Sequence, residues 1–286
     1  MEIFYLGPPK TFSEKAAAML AAKLCPDAEL VPMANFQQIA QKSSTETRTA
    51  MGVLPYYNFL EGLVQESLDL VVEYDLFIRS ACRVPVEFSL GGATGQVVSE
   101  AVYSHPKALA QCSDFLKDRV PNAVIRSVSS TAEAARLVRE SGEGLAIASR
   151  DALQEHGLHI LAENIGNRRH GRNNFTDFLL LVSRSAGTIR PEGESFRTMM
   201  AITPRAERVG LLAEILAQFA FYSLNIAKIH SRPAIDPVDV EIEPQMFYVE
   251  LMSRPDNENL RLCAESLDYR YGSGTVRQLG FFPALS

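Results

Sequence analysis

Three segments of the chain carry hydroxyl and acidic residues in the spacing that begins a helix. They read Thr11-Phe12-Ser13-Glu14, Ser104-His105-Pro106 and Ser130-Thr131-Ala132-Glu133. The first and third fit the S/T-x-x-E capping box, and the second has the proline that favours a first helical turn. Free N–H groups and hydroxyls at such helix ends bind carboxylate or phosphate groups. The pattern therefore indicates either a small anionic ligand or ordinary helix capping.

The elements that would position these helix starts alternate between apolar strands and helices over residues 1–184. The pattern predicts strands at 2–6, 29–32, 51–54, 100–103, 124–128 and 144–148, helices at 13–24, 36–41, 106–116 and 132–140, and a β-rich stretch at 76–90. Pro55 is expected to end strand 51–54. Such alternation favours an α/β fold with mostly parallel sheets. Ligands in these folds bind at the carboxyl ends of strands, beside helix N-termini.

A polar segment with Gly and Pro, residues 183–194, predicts a linker to a second domain. Beyond it the pattern predicts strands at 196–202, 224–230, 245–251 and 275–282, with helices at 209–222 and 258–267. The order βαββαβ is that of a ferredoxin-like unit. The chain is therefore expected to divide into a first domain at 1–184 and a second at 195–286.

Composition narrows the functional classes. Among 286 residues, 34 acidic side chains exceed 28 basic ones and give a net charge of −6, which disfavours nucleic-acid binding. The chain has no run of about 18 apolar residues, so no membrane span is expected. Its N-terminal residues lack the features of a signal peptide. The four cysteines (Cys25, Cys82, Cys112, Cys263) form no C-x-x-C pair. They are expected to be thiols of a cytoplasmic protein, without disulfides or a zinc site.

Several motifs, in order, resemble those of the prephenate dehydratase family. In the first domain they are 5–17 (YLGPPKTFSEKAA), Leu54-Pro55-Tyr56-Tyr57-Asn58 with Gly62 and Leu68-Asp69-Leu70, 104–112 (SHPKALAQC), 130–135 (STAEAA), and Asn174-Phe175-Thr176-Asp177-Phe178. In the second they are Gly210-Leu211-Leu212 and His230-Ser231-Arg232-Pro233, which resemble the ligand-binding motifs of an ACT regulatory domain. The resemblance covers nearly the whole chain.

The resemblance implies a two-lobed, periplasmic-binding-protein-like α/β domain followed by a ferredoxin-like ACT domain. It implies conversion of prephenate to phenylpyruvate, with no metal or organic cofactor. Thr176 is the expected donor to the hydroxyl that leaves. The residues expected to bind the substrate are Lys10, Thr11, Tyr57, Asn58, Ser104, His105, Ser130, Thr131, Asn174 and Phe178. His105 is alternatively a structural cap, and Cys112 is expected to be a buried small residue.

Some motif positions depart from the family pattern. Lys10 stands where a glycine is usual, and Tyr57 and Phe59 replace the Glu and Ser of a Glu-Asn-Ser motif. Asp177 replaces the arginine of the Asn-x-Thr-Arg-Phe signature, so that a donor to carboxylates becomes a like charge. Asn58 is the polar residue of the Glu-Asn-Ser motif that this chain retains, and it is expected to contact the substrate.

Two hypotheses address the reversed charge at Asp177. In the first, Lys10 supplies the missing cation, with arginines of the basic run as reserve candidates (Arg168, Arg169, Arg172). In the second, Asp177 pairs with one of these arginines and does not meet the substrate. The basic run is alternatively a solvated loop, and Phe59 is alternatively a core residue.

The same departures leave three functions open. Retention of Thr176 favours the dehydratase reaction. Loss of Glu and Ser from the second motif favours altered chemistry, such as decarboxylation of prephenate without aromatisation. A non-catalytic amino-acid sensor that uses the ACT-like domain is the third.

The resemblance in the second domain implies an amino-acid effector, phenylalanine in the family, and a homodimer or homotetramer. The residues expected to bind the effector are Gly210, Leu211, Leu212, Asn225, His230, Ser231, Arg232 and Pro233. His230 replaces the usual glutamate of the second ACT motif, so that feedback is expected to be weakened or retuned. Dimerisation alone is the alternative role.

Overall fold

The computed structural model of the protein describes residues 1–45, 49–97, 100–167, 173–186, 195–205, 208–234 and 245–285. The expected basic run (Arg168, Arg169, Arg172) and residues 187–194 of the expected linker lie outside these ranges. The chain divides into two compact units. The first contains Met1–Ile39, Val53–Gln65 and Cys82–Phe178; the second contains Ala40–Gly52, Glu66–Ala81 and Leu179–Ser286.

Strands and helices alternate through the first part of the chain. In order they are β1 (Glu2–Leu6), α1 (Phe12–Leu24), β2 (Glu29–Met33), α2 (Phe36–Ser43), β3 (Ala50–Asn58), β4 (Gly62–Leu63), α3 (Gln65–Glu73), β5 (Leu76–Pro85), β6 (Ser89–Gly92), β7 (Ala101–Ser104), α4 (Pro106–Gln111), α5 (Ser113–Arg119), β8 (Val124–Ser127), α6 (Thr131–Ser141), β9 (Leu145–Ala148), α7 (Arg150–Glu155), β10 (His159–Ala162) and β11 (Phe175–Ser183). Strands β3, β5 and β11 each have residues in both units.

The remaining elements follow the predicted βαββαβ order. They are β12 (Phe196–Ile202), α8 (Leu211–Phe221), β13 (Ile226–Pro233), β14 (Gln245–Leu251), α9 (Glu258–Tyr271) and β15 (Val276–Pro283). Their strands lie in the order β13-β14-β12-β15, all neighbours antiparallel. This is the strand order of the ferredoxin-like fold, which confirms the prediction. Phe219, Val249 and Cys263 belong to the apolar core that α8 and α9 form with this sheet.

Two sheets contribute to the first unit. In one, β1 and β2 pair in parallel, and the neighbours run β5-β11-β3-β1-β2. The other has the order β10-β6-β9-β7-β8, with β7 parallel to β8 and β9, and β6 antiparallel to β9 and β10. Val102, Leu109 and Ile147 pack in a core between this five-stranded sheet and its helices. The mixed α/β class is confirmed.

The predicted capping residues of two helices act as caps. Thr11 Oγ1 accepts a hydrogen bond from the N–H of Glu14 at the start of α1, and Ser130 Oγ accepts one from Glu133 at the start of α6. Each satisfies a backbone donor that has no partner inside its helix.

Several predicted boundaries were wrong for identifiable reasons. Strand β3 does not end at Pro55 but continues to Asn58, where β4 pairs with it. The predicted helix 106–116 is two helices, because the backbone leaves helical values at the buried Cys112. The β-rich stretch 76–90 is two strands in different sheets. Strand β13 begins at Ile226 because Ser223 adopts a left-handed conformation that ends α8. Helices α3 and α7, and strands β4, β10 and β11, were not predicted.

One glycine is required by a close backbone approach in the second unit. Gly280 of β15 pairs with Ile78 of β5 and has a φ of 142°. A Cβ atom on Gly280 would lie 2.3 Å from the carbonyl oxygen of Ile78, well inside van der Waals contact. Both strands must therefore separate if residue 280 carries a side chain.

None of the helices within the described ranges is both long and apolar enough to cross a bilayer.

We predict that Gly280→Ala lowers the free energy of unfolding by about 2–4 kcal/mol, since it combines a backbone clash with an unfavourable φ. Gly95→Ala is the matched control, because a Cβ atom there meets no atom within 4 Å; it should change stability by less than about 0.5 kcal/mol. Thermal or urea unfolding measures both. Equal stabilities for the two variants would contradict the proposed clash.

Candidate active site

The side-chain amide of Asn58 joins the end of β3 to the start of β11. Its Nδ2 donates to Thr176 Oγ1 at 2.9 Å and to the carbonyl oxygen of Phe175 at 3.2 Å. Its Oδ1 accepts the backbone N–H groups of Leu60 and Glu61 at 3.0 and 3.1 Å. Two backbone donors on one side therefore identify the amide oxygen, and the nitrogen must face Thr176.

This orientation decides what the Thr176 hydroxyl can do. Because Oγ1 accepts a hydrogen bond from Asn58, the hydroxyl hydrogen of Thr176 is left to donate elsewhere. Thr176 is partly exposed, so the hydroxyl is accessible to a small molecule. Asn58 itself is 9% exposed and is held rigidly by its four hydrogen bonds. The arrangement presents a directed hydroxyl donor.

Asp177 is buried and paired with an arginine that the sequence did not single out. It is 2% exposed, and Arg83 of β5 holds both of its oxygens, with Nε–Oδ1 at 2.7 Å and Nη2–Oδ2 at 3.1 Å. This is the bidentate geometry that suits a guanidinium and a carboxylate. The cation that pairs with Asp177 within the described ranges is therefore Arg83, 94 residues away in the chain. The basic run of the pairing hypothesis lies outside these ranges.

The ring of Phe175 contacts both an aromatic ring and the same guanidinium. Its ring stacks on that of Phe59, with centroids 5.1 Å apart and planes at 24°. The Arg83 Cζ lies 3.8 Å from the centroid of the Phe175 ring. Tyr57 also approaches Phe175, with ring centroids 6.5 Å apart. Phe59 thus packs against the strand that carries Thr176.

A polar network links the second motif to helix α4 and to the start of β11. The carboxylate of Glu61 accepts from Lys107 Nζ at 2.8 Å and from Gln111 Nε2 at 2.9 Å. Gln111 Oε1 in turn accepts from Asn174 Nδ2 at 3.0 Å. Asn174 is buried, and its Oδ1 has no partner within the described part of the chain. The structure therefore brings together Asn58, Asn174 and Thr176 from the expected site.

The start of α4 differs from the expectation. Ser104 is fully buried and donates to the carbonyl oxygen of Ile147 at 2.6 Å. The cap is His105, whose Nδ1 accepts the N–H of Lys107 at 3.2 Å. Partial burial and the charge of Lys107 lower the pKa of His105, while Glu61 opposes that shift. The imidazole is therefore neutral near pH 7, as an acceptor must be.

Lys10 and Thr11 precede α1. Lys10 has a φ of 69°, a conformation typical of the glycine that the family carries there. Its N–H donates to Glu14 at 2.6 Å, and its Nζ lies 3.6 Å from the carboxylate of Glu155. Thr11 also donates to the carbonyl oxygen of Leu6 at 3.3 Å. A role for Lys10 as the substrate cation stays a prediction.

The other expected substrate residues occupy strand or helix ends. Thr131 opens α6 directly after its cap, Ser130. Phe178 is 2% exposed in β11 and faces the protein interior.

In the second unit, the expected effector residues lie at the start of α8 and along β13. Gly210 precedes α8 with a φ of 86° and makes no side-chain cap to this helix end. Leu211 is buried, whereas Leu212 is 39% exposed. Asn225 is exposed, and its Nδ2 lies 3.1 Å from Met252 Sδ.

The motif residues of β13 divide between the two faces of the sheet. Ser231 and Pro233 are exposed, whereas His230 and Arg232 are partly buried. The Nε2 atom of His230 is buried with no hydrogen-bond partner among the described residues. Burial and Lys228 lower the pKa of His230, against the opposing effect of Glu250.

Asp69 of α3 joins this face of the sheet through two hydrogen bonds. Arg232 Nη2 donates to Asp69 Oδ2 at 2.5 Å, and the Tyr248 hydroxyl donates to Asp69 Oδ1 at 3.1 Å. Burial and the carboxylate of Asp69 raise the pKa of Tyr248, so that its hydroxyl keeps its proton. The expected effector motif therefore contacts the helix that carries the end of the second dehydratase motif.

Cysteine chemistry is not favoured. Burial raises the pKa of Cys82 and Cys112 to about 12 and that of Cys263 to about 11, which leaves them as unreactive thiols. No group of three or more His, Cys, Asp or Glu side chains suited to a metal ion occurs in the described ranges.

Sequence reasoning missed Arg83, Glu61 and the contacts of Gln111 and Asp69. Gln111 and Asp69 stand inside motifs that were recognised, and Glu61 directly precedes Gly62 of the second motif. Arg83 lies in no recognised motif. Arg83 reaches Asp177 because their strands, β5 and β11, are neighbours in the sheet.

Comparison with known proteins identifies relatives over the whole chain. The family model described as prephenate dehydratase matches residues 3–186. A bifunctional chorismate mutase/prephenate dehydratase of Aquifex aeolicus is 30% identical over 284 residues, covering 99% of this chain and 74% of that protein. A prephenate dehydratase of Methanocaldococcus jannaschii is 27% identical and covers 98% of this chain and 97% of its own length.

Solved structures share the fold. A prephenate dehydratase from Arthrobacter aurescens in complex with L-Phe has a TM-score of 0.82 at 25% identity, covering 99% of this chain and 90% of that one. A structure described as GqqA, a novel type of quorum quenching acylase, has a TM-score of 0.80 at 25% identity, covering 99% and 98%.

We predict that His105 makes the stability of the protein fall as the pH drops below about 6.5, the usual imidazole pKa. The folded state lowers the pKa of His105, so that acid protonates the unfolded chain first and favours it. His105→Asn keeps a cap at every pH. Its melting temperature should therefore fall less between pH 7.5 and 5 than that of the wild type.

His159→Asn, at an exposed position on β10, controls for the added asparagine. Parallel pH profiles for the wild type and His105→Asn would contradict a neutral imidazole cap.

Proposed function

The chain belongs to the prephenate dehydratase family, and we propose that it converts prephenate to phenylpyruvate with Thr176 as the donor to the leaving hydroxyl. The family model and the prephenate dehydratase relatives support this lyase reaction. They do not favour the non-aromatising decarboxylase or the non-catalytic sensor. The pathway is aromatic amino acid biosynthesis.

The reaction needs one well-placed hydrogen-bond donor. The bond from the ring to its carboxylate breaks, carbon dioxide leaves, and the electron pair enters the ring. The bond to the para oxygen breaks, and the hydroxide takes a proton to leave as water. Formation of an aromatic ring drives the process. The protein must therefore stabilise the developing charge on the leaving oxygen.

The observation that carries the proposal is the hydrogen bond from Asn58 Nδ2 to Thr176 Oγ1. It fixes the acceptor side of the Thr176 hydroxyl and turns its hydrogen away from Asn58. A hydroxyl is a weak acid in water, but a fixed one can give a directed hydrogen bond to an oxygen as charge develops there.

Helix ends and nearby cations are the proposed sites for the two substrate carboxylates. The starts of α1, α4 and α6 supply backbone donors next to Thr11, His105 and Ser130. Lys10 and Thr131 stand beside these ends, and Asn174, Tyr57 and Phe178 complete the proposed surroundings. Ser104 is proposed to support His105 through its bond to strand β9. No metal or organic cofactor takes part in this proposal.

We predict that Thr176→Val, which keeps the shape and removes the donor, lowers kcat for phenylpyruvate formation by about 10²–10⁴. Thr176→Ser should retain activity within about tenfold of the wild type, because the hydroxyl remains. Turnover of prephenate by the purified protein is followed by ultraviolet spectroscopy. The exposed Thr45→Val serves as the control.

The product separates the possible outcomes. A dihydro, non-aromatic keto acid would indicate decarboxylation alone, and unchanged prephenate would overturn the enzymatic proposal. A Thr176→Val variant with wild-type kcat would remove Thr176 from the reaction while leaving the activity in place.

We further propose that the second unit binds a free amino acid, with phenylalanine as the first candidate. The Arthrobacter relative solved with L-Phe supports an effector of this class. The residues proposed to hold it are those at the start of α8 and along β13, described above (Gly210, Leu211, Leu212, Asn225, His230, Ser231, Arg232, Pro233). Assembly into a dimer or tetramer and a cytoplasmic location belong to the same proposal.

Asp69 is proposed to pass the effector signal to the catalytic unit. It holds Arg232 of the effector motif and Tyr248, and it lies on α3, which carries the last residues of the second dehydratase motif. Any movement of Arg232 toward an effector carboxylate must weaken its bond to Asp69.

We predict that Asp69→Asn changes the phenylalanine concentration for half-maximal inhibition by about threefold or more, with kcat and KM in its absence unchanged, because a charged partner of Arg232 is lost. The exposed Glu66→Gln on the same helix is the control. Inhibition assays and calorimetric binding measure the effect. If phenylalanine binds the wild type without changing its activity, the proposed coupling through Asp69 is contradicted.

A further inference from the structure

Arg83 contacts both residues that flank Thr176 along the chain. Its guanidinium binds Asp177 in a bidentate manner and lies flat on the ring of Phe175. We propose that Arg83 is a positioning residue for Thr176, which fixes this end of β11 from strand β5. The inference rests on the proposed dehydratase function.

Strand geometry explains how one side chain can reach both neighbours. Alternate residues of a strand point to opposite faces, so that Phe175 and Asp177 share a face and Thr176 points to the other. Arg83 therefore fixes β11 from one side, while Asn58 holds the Thr176 hydroxyl from the other. The hydroxyl is located by contacts on both faces of the strand.

Two of the departures from the family pattern, Phe59 and Asp177, belong to one physical unit. The ring of Phe175 contacts both Phe59, which stacks on it, and the guanidinium of Arg83, and Asp177 anchors that guanidinium. We name these four side chains the arginine clamp (Phe59, Arg83, Phe175, Asp177). Phe59 without Phe175, or Asp177 without Arg83, would leave an uncovered ring or a buried carboxylate without a counterion.

Charge balance indicates that the clamp acts through position and not by binding substrate. Arg83 and Asp177 neutralise each other, and Nε and Nη2 of Arg83 are both used on Asp177. The pair therefore adds little attraction for a dianionic substrate. Its loss should displace Thr176 and lower kcat, with KM for prephenate nearly unchanged.

The first test replaces the ion pair without leaving a buried charge. In Arg83→Met/Asp177→Leu, apolar side chains of similar volume keep the fold. We expect kcat to fall by about tenfold or more, with KM within about threefold of the wild type. Arg136→Met, at an exposed ion pair on α6, should leave both values unchanged.

A second variant tests rescue. The charge exchange Arg83→Asp/Asp177→Arg rebuilds an ion pair with the arginine at the signature position. It should recover kcat to within about threefold of the wild type. Because the exchange changes the ring contact of Phe175, circular dichroism and melting temperature establish that both variants are folded before kinetics are compared.

The coupling to Thr176 supplies the decisive readout. If Arg83 acts through Thr176, adding Arg83→Met/Asp177→Leu to Thr176→Val lowers kcat no further. Multiplicative effects, a wild-type kcat in the folded clamp variant, or a tenfold rise in KM at constant kcat would each overturn the inference. A wild-type protein that makes no phenylpyruvate would overturn the proposed function itself, and is seen before any variant is made.

Discussion

The hydrogen bonds of the Asn58 side chain are the constraint on which the site depends. Its Oδ1 accepts hydrogen bonds from two backbone N–H groups of the turn after β3. Its Nδ2 donates to a backbone carbonyl oxygen and to the Thr176 hydroxyl, both on β11. If this amide were reversed, its oxygen would face the Thr176 oxygen and its nitrogen would face two donors. The local turn therefore dictates which way the amide points. The direction of the Thr176 hydroxyl follows from it, and so does the chemistry that the hydroxyl can perform.

The change from arginine to Asp177 in the signature motif is explained by a contact between neighbouring strands of the sheet. Asp177 in isolation suggests repulsion of an anionic substrate. In the fold it is buried and held by Arg83, whose other face covers Phe175. A buried carboxylate needs such a partner, because removing a charge from water is costly unless an opposite charge and hydrogen bonds replace the solvent. Because Arg83 neutralises the carboxylate, Asp177 does not add net negative charge beside Thr176.

In the second unit, as in the first, a carboxylate connects side chains from different secondary-structure elements. Asp69 accepts hydrogen bonds from Arg232 and Tyr248, which lie on neighbouring strands of the ferredoxin-like sheet. Glu250 on the same sheet is 4% exposed and pairs with Arg197 and Lys228. This face of the sheet thus carries several paired charges, in contrast to the apolar face under α8 and α9. Paired charges fix register more than they add stability, and they can respond when a charged ligand competes for one partner.

The sequence alone predicted the local features of this protein. Capping at Thr11 and Ser130, the βαββαβ order and the family motifs all depend on residues within a few positions of each other, where helix and strand periodicity act. It also pointed to Asn58 and Thr176. The tertiary structure decided the rest: that β3 runs past Pro55, that His105 and not Ser104 caps α4, and that Asp177 pairs with Arg83. Arg83 and Asp177 are 94 residues apart, and Asp69 and Arg232 are 163 apart. Such partners meet only through the order and register of strands, which no local pattern encodes.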